Sequence, residues 1–375
     1  MVTHSEVIRA LIRSKSVLIE GPPGTGKTRF VQEIMTLMGV GDSNESSSTS
    51  RAIQNVDVGI DLKEPRMPFT LPDGTDEIAE VFGNNPRVEW LTFHESYTYE
   101  DFILGLRPQP YEGGTRLVPH AGTLLDLLVG LNGEGGDSSA LLLIDELNRA
   151  NTSRVFGEFM TFLDPNYRAE IEGAPSRTQI PMRPAALTYE ADGLSEPIQT
   201  RDGHKVRLES NWVPPEKLFI LATMNGVDKG ALPLDSALLR RFTRFYFGPS
   251  RDALYLYLQD SEGDASKDQV IDLTVGIFEF LNLEIEKKLG RDYLLGQTLF
   301  FGVKRREVVS TLNLIESWDQ AIYPQLLDRF GYDNSILHDL LNLGAPEPSH
   351  PLLGNLAKVS NPEAVVLLRE LTRSV

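Results

Sequence analysis

A chain of 375 residues, 41% hydrophobic and 24% charged, has ample apolar material for a sizeable core, which excludes wholesale disorder. Cysteine is absent, so no disulfide framework, thiolate metal site or cysteine nucleophile exists, and the six histidines show no metal-ligand spacing. The formal charge of −17, from 36 Lys and Arg against 53 Asp and Glu, excludes a general basic coat; contact with DNA would need a local basic patch or an assembled pore.

Val17–Glu20 is a short apolar run ending in a glycine-rich turn, and Lys27–Met38 then reads as a helix, giving a strand–loop–helix unit. Residues 39–86 are predicted to be a flexible insertion: the polar run from Gly41 to Ser50 is of low complexity, and little periodicity follows through Pro65, Pro68 and Pro72. Val88–His94 reads as a strand and His120–Leu131, just after Pro119, as a helix. Ala140–Ile144 is a strand without polar alternation, as in a buried parallel sheet. Thr152–Leu163 is predicted helical, with Val155, Phe159 and Phe162 on one face. Residues 165–215, rich in Pro, Gly and charge, carry alternating pieces at Ala186–Glu190 and Lys205–Glu209 and predict inserted hairpins. Leu218–Met224 and Thr243–Phe247 are the last core strands. From Ser250 onward come helices, over Arg251–Gln259, Gln269–Leu289, Arg305–Tyr323 and Asn334–Leu343. The pattern predicts a large α/β domain over 1–249 and a small all-α domain over 250–375. No apolar stretch is long enough to span a bilayer and residues 1–15 lack a signal-peptide pattern, so a cytoplasmic location and no membrane partner are expected.

Gly21-Pro22-Pro23-Gly24-Thr25-Gly26-Lys27-Thr28 matches the phosphate-loop pattern G-x-x-x-x-G-K-[ST]. Glycines there let main-chain N–H groups form an anion nest, and the helix that follows adds its positive end. Lys27 is expected on the β- and γ-phosphates and the Thr28 hydroxyl on Mg²⁺. Leu141–Ile144 runs into Asp145 and Glu146, two acids at the carboxyl end of a parallel strand, where ligand crevices lie. Asp145 suits Mg²⁺ and Glu146 suits activation of an attacking water. Asn225, after the Leu218–Met224 strand, offers an amide for the γ-phosphate or that water; a plain Asn225-Gly226 turn is the other reading. Arg240 and Arg241 end a short helix, and a planar, permanently charged guanidinium matches a γ-phosphate; a solvated pair favoured by the helix dipole is the alternative.

The phosphate loop, the Asp145-Glu146 strand, Asn225 and Arg240-Arg241 stand in the order of an AAA+ ATPase. Further stretches resemble the McrB family, the nucleotide-driven motor subunits of type IV, modification-dependent restriction systems. They are residues 93–102 (Phe93 to Phe102), Gly105-Leu106-Arg107-Pro108, Ile144 to Asn151, Phe156-Gly157-Glu158, Thr223-Met224-Asn225, Leu289 to Tyr293 with Gly296 and Phe300, and Trp318 before Tyr323-Pro324. The resemblance implies a P-loop AAA+ fold, a parallel-sheet αβα core with hairpin insertions and a small all-α lid. It implies Asn225 as the sensor of the attacking water, and Arg240 and Arg241 as residues acting in trans, Arg241 being the finger. It also implies a homo-oligomer, a hexameric ring with Mg²⁺ and nucleotide at each interface, a McrC-like nuclease partner that stimulates hydrolysis, and DNA engaged through the complex.

Three departures stand out. Lys229 takes a position where the family has arginine, and Gln297 one where it has histidine. A modification-reading domain often precedes the motor, whereas only sixteen residues precede the first predicted strand, so recognition is not expected upstream in this chain. No residue encodes guanine selection, which leaves ATP and GTP both open. Two other functions compete: a MoxR-like AAA+ chaperone that remodels proteins, which shares Asp-Glu-x-Asn-Arg-Ala, and a nucleotide-switched scaffold without turnover. Lys287-Lys288 with Arg291, and Lys304-Arg305-Arg306, read as solvated helix surface, and Trp90, Trp212 and Trp318 as packing residues. Arg177, Arg183, Arg201 and Arg207 punctuate the 165–215 insertion, with a functional role there left open.

Overall fold

The computed structural model describes residues 2–37, 87–133, 139–169, 180–226, 232, 234–259, 265–330, 334–341, 343 and 350–372. The predicted insertion over 39–86, Arg177 and Lys229 lie outside the described residues.

Helix α1 (His4–Ser14) starts on a capping box in which Thr3 and Glu6 satisfy each other's main-chain amides. It buries Val7, Ile8, Ala10 and Leu11 and delivers the chain into β1 (Ser16–Gly21), followed by the phosphate loop and α2 (Lys27–Leu37). The other strands are β2 (Arg87–Thr92), β3 (Leu104–Tyr111), β4 (Gly114–Ala121), β5 (Ala140–Asp145), β6 (Ile198–Gln199), β7 (Lys205–Val206), β8 (Leu218–Asn225) and β9 (Thr243–Tyr246).

Five of these strands form a parallel sheet in the order β2-β5-β8-β1-β9. The unbroken apolar runs of β1, β5 and β8 follow from burial on both faces. Alternation then divides each strand between two layers. Val17, Ile19, Leu141, Leu143, Phe219 and Leu221 pack on α1 and α2, while Leu18, Leu142, Ile144, Ile220 and Ala222 pack against Phe93, Phe102, Phe156 and Phe159. A separate apolar cluster spans Leu254 to Leu371. The helices Arg251–Leu258, Ala265–Leu289, Thr311–Ser317, Tyr323–Arg329, Asn334–Leu340 and Asn361–Thr372 form it around Trp318, whose indole N–H donates to the Leu352 carbonyl at 3.0 Å.

Three expectations need correction. The helix predicted over His120–Leu131 begins at Thr123; His120 belongs to β4, paired along its length with β3. Pro108, Pro110 and Pro119 masked this hairpin, because proline normally marks non-strand. It is tolerated here because β3 is an edge strand and β4 meets β6 through a single residue pair. Thr152–Leu163 is α-helical only to Phe156 and then tightens to a 3₁₀ turn at Gly157 (φ +49°), whose lack of a side chain leaves room for the Tyr99 ring. Within Arg305–Tyr323, Lys304–Arg305 pairs with Val308–Val309 before Ser310 caps the helix, which then passes into a π turn over Trp318–Ile322.

The second sheet is the insertion sheet, β3-β4-β6-β7. Its register places Leu106, Pro108, Leu117 and Pro119 on one face and Arg107, Gln109, Arg116, Val118 and His120 on the other. His120 stands opposite Gln199, and Gln199 opposite Lys205, so these extend the second face.

Arg168 is fully buried where the insertion leaves the main sheet. Its guanidinium donates to the carbonyls of Phe162 and Leu218, and Nη2 has no hydrogen-bond partner. Burial holds this side chain down at about 10, against the pull of Glu216 and Asp164. Arg168→Ala strands both carbonyls and opens a cavity. A loss of about 2–5 kcal/mol of stability is expected, read from the urea unfolding midpoint.

Candidate nucleotide-binding site

Parallel register assembles the site at one end of the sheet. Gly21, the last residue of β1, lies opposite Asn225, the last of β8, and Ile144 of β5 lies opposite Ala222. The phosphate loop, the Asp145-Glu146 pair and the Thr223–Asn225 strand end therefore share one crevice, outside the carboxyl ends of the strands.

The loop takes the shape that its glycines permit: Gly24 and Gly26 sit at φ +77° and +93°, where other residues are strained. The Thr25 hydroxyl donates to the Pro22 carbonyl at 3.0 Å and so braces the turn. Lys27, the first residue of α2, is buried, and its ammonium donates to the carbonyls of Gly21 and Pro22 at 3.0 and 2.8 Å. Burial pushes it down to about 8, with Glu146 and then Asp145 pulling the other way. The hydroxyl-bearing Thr28 is exposed beside it.

Across the crevice, one oxygen of Asp145 accepts from the Thr223 hydroxyl, which also accepts the Glu146 amide at 3.4 Å. Glu146 adopts a left-handed conformation (φ +58°), sparsely populated for a non-glycine residue and commonest at functional sites. Its carboxylate accepts from the Asn225 amide at 2.6 Å and lies 3.5 Å from the Arg149 guanidinium. Asn148 donates to the Asn225 carbonyl at 2.8 Å, fixing that strand end. The Asp145 carboxylate and the exposed Thr28 hydroxyl suit Mg²⁺, which keeps several waters and takes few protein ligands. Among the described residues no cluster of three or more acidic or histidine side chains offers a fuller metal cage.

Thr223, Arg149 and Asn148 were not anticipated as site residues. Their signal is positional, since each lies within three residues of Asn225 or Glu146. Gln297 is also at the site. It donates to the Thr25 carbonyl at 2.6 Å and accepts the Ser250 amide at 3.2 Å, and Thr298 donates to the Gly24 carbonyl through both its hydroxyl and its amide. Arg240 is exposed at the end of its short helix, and Arg241 is half-buried, folded back on the Ala237 carbonyl. The stretches behind the family resemblance are largely packing. Thr98 and Asp101 form a capping box, the Tyr99 hydroxyl donates to Glu158 at 2.7 Å, and Phe93, Phe102 and Phe156 are buried together.

The AAA domain of the dynein-related subfamily matches residues 75–242, which hold the acidic strand end, Asn225 and both arginines; the phosphate loop precedes the match. The chain is 25% identical over 303 residues to the type IV methyl-directed restriction enzyme EcoKMcrB subunit of Escherichia coli (strain K12), covering 80% of this chain and 50% of that protein. It is 29% identical over 194 residues to the type II restriction enzyme BsuMI component YdiS of Bacillus subtilis (strain 168), covering 45% of this chain and 51% of that one. The chain thus spans about half the length of the curated relatives it matches. Among solved structures, C. elegans PCH-2 overlaps 99% of this chain and 67% of its own at 15% identity and a TM-score of 0.31, too loose to carry an argument. Among the described residues, no helix is long and apolar enough to cross a membrane. A parallel sheet with a phosphate loop and an acid-bearing strand in one crevice, together with these matches, gives the chain the P-loop AAA+ fold of a nucleoside triphosphatase, similar to the McrB restriction subunit.

Proposed function

We propose that this chain is the motor of a restriction system, hydrolysing ATP or GTP between the subunits of a hexameric ring and driving DNA translocation with a McrC-like nuclease. The observation that carries the hydrolytic part is the Glu146 carboxylate, held by Asn225 at the carboxyl end of β5 with Lys27 in electrostatic reach. The restriction setting rests on the two relatives and their printed names.

In this mechanism the loop amides and Lys27 hold the phosphates. Asp145 and Thr28 would hold Mg²⁺, which when bound neutralises phosphate charge. Glu146 takes the proton of the attacking water, Asn225 positions that water, and Arg240 and Arg241 reach the site of the neighbouring subunit. Main-chain contact through Gln297 and Thr298 passes the state of the loop to the helical domain over 250–375.

Phosphate release measured with MgATP and with MgGTP tests this reading. Turnover with at least one of them, raised by the nuclease subunit, is expected. No release with either would leave a nucleotide-switched scaffold instead.

Binding should also depend on pH. Lys27 is charged below about pH 8 in the free protein, and bound phosphate favours the charged form, so binding above that pH takes up a proton. Nucleotide Kd should be flat near pH 7 and rise toward about tenfold per pH unit above pH 8. Fluorescent-nucleotide titrations would show this, and Lys27→Arg should abolish the dependence.

A further inference from the structure

Four of the six cations in the basic clusters conspicuous in the sequence are neutralised in place, while Arg291 lies over the Tyr246 ring and Arg306 is exposed. Lys287 pairs with Glu284, Lys288 with Asp339, Lys304 with Glu307 and Arg305 with Glu316. In the insertion, Arg201 pairs with Glu89, Arg207 with Glu190, and Arg183 donates to the Ser210 carbonyl.

The outer face of the insertion sheet is different. Arg107, Arg116 and Lys205 are exposed on it, and none makes an ion pair among the described residues. The same face carries Gln109, His120, Gln199 and, at its tip, a Tyr111 ring that is 53% exposed. By register it holds no acid, in a chain of net charge −17. Same-face neighbours on a strand stand about 7 Å apart and adjacent strands about 4.8 Å, so the cations form a spaced row. At the foot of this face lies a cavity of about 340 Å³, lined by His94, Tyr97, Asp101, Arg107, Thr123 and Arg201. The rings of His94 and Tyr97 meet edge-on at 5.6 Å within it.

We propose that this face binds a single strand of nucleic acid, with Arg107, Arg116 and Lys205 on its phosphates and the Tyr111 ring against a base. Spaced cations with aromatic rings beside them are the pattern that single strands take, one gripping the backbone and the other a base face. An acidic protein segment would be served by the cations alone; the exposed ring and the ring-lined cavity suit an unstacked base. The inference rests on nucleic acid being a partner of this chain, and its test does not depend on turnover.

The experiment is fluorescence anisotropy of the full chain with a labelled ~30-nucleotide single strand and the matching duplex, titrated at several salt concentrations. The wild type should prefer the single strand. R107Q/R116Q/K205Q should weaken binding at least ~10-fold and reduce the slope of log K against log salt by about 2, since each single-strand phosphate contact contributes about 0.7. Tyr111→Ala should cost several-fold, and R116Q alone, at an exposed position, a smaller loss with the fold intact. K287Q/K288Q should stay near the wild type, and phosphate release should be unchanged in all of them. Equal affinity of the triple variant and the wild type would overturn the proposal, as would an equal loss in K287Q/K288Q. Equal binding of duplex with no effect of Tyr111→Ala would also overturn it. A wild type that hydrolyses nucleotide but binds neither probe removes the proposal and leaves the triphosphatase standing.

Discussion

Glu146→Gln is expected to lower phosphate release by about 10²–10⁴ while nucleotide affinity stays within a few-fold. The variant removes the proton acceptor together with the charge that faces Arg149 and Lys27. Glutamine keeps the length of the side chain, its amide oxygen still accepts from Asn225, and the left-handed backbone carries the same Cβ. Lys27, Thr28 and the loop are untouched, so the phosphates keep their cradle. Equilibrium binding of a fluorescent nucleotide, read beside single-turnover phosphate release, separates the two effects. Unchanged turnover would remove Glu146 from the chemistry; lost binding would make it a structural residue.

The second large effect concerns the arginines. Arg241→Ala should reduce turnover by roughly 10³–10⁵, the range for a guanidinium supplied to a phosphoryl group across an interface. Mixed with Glu146→Gln subunits, it should recover measurable activity, because hybrid interfaces pair an intact acid with an intact arginine. The fold makes this informative: Arg240 and Arg241 end a four-residue helix capped by Asp235, so alanine there disturbs no core strand. Arg240→Ala, tested alongside, tells whether the exposed or the folded-back guanidinium acts in trans. Mixed rings that assemble without any recovery would rule out action in trans.

The parts of the site visible in the sequence were those encoded over a few consecutive residues. A glycine-rich loop between a strand and a helix, and an apolar strand ending in two acids, are local patterns whose spacing is itself the signal. Thr223 was hidden because its partner Asp145 lies 78 positions away, and a threonine inside an apolar strand looks like an ordinary β-former. Gln297 was visible only as a broken family pattern; its partner Thr25 is 272 positions distant. The β3–β4 hairpin failed for the opposite reason. Its local signal was present but contradicted by three prolines, and only the open flanks of the finished sheet make those prolines harmless. The aromatic and capping stretches around Tyr99 were legible as family features, yet the structure assigns them to holding the insertion on the core.

Gly296 has a mechanical consequence. A methyl group there would fall 2.2 Å from the carbonyl carbon of Gly24, so bare backbone lies on bare backbone with no compressible side chain between. Any displacement of Gly24 or Thr25 as the loop accommodates a triphosphate must be met at once by Gly296–Thr298. A contact with so little slack would carry a shift of the loop into the start of the helical region.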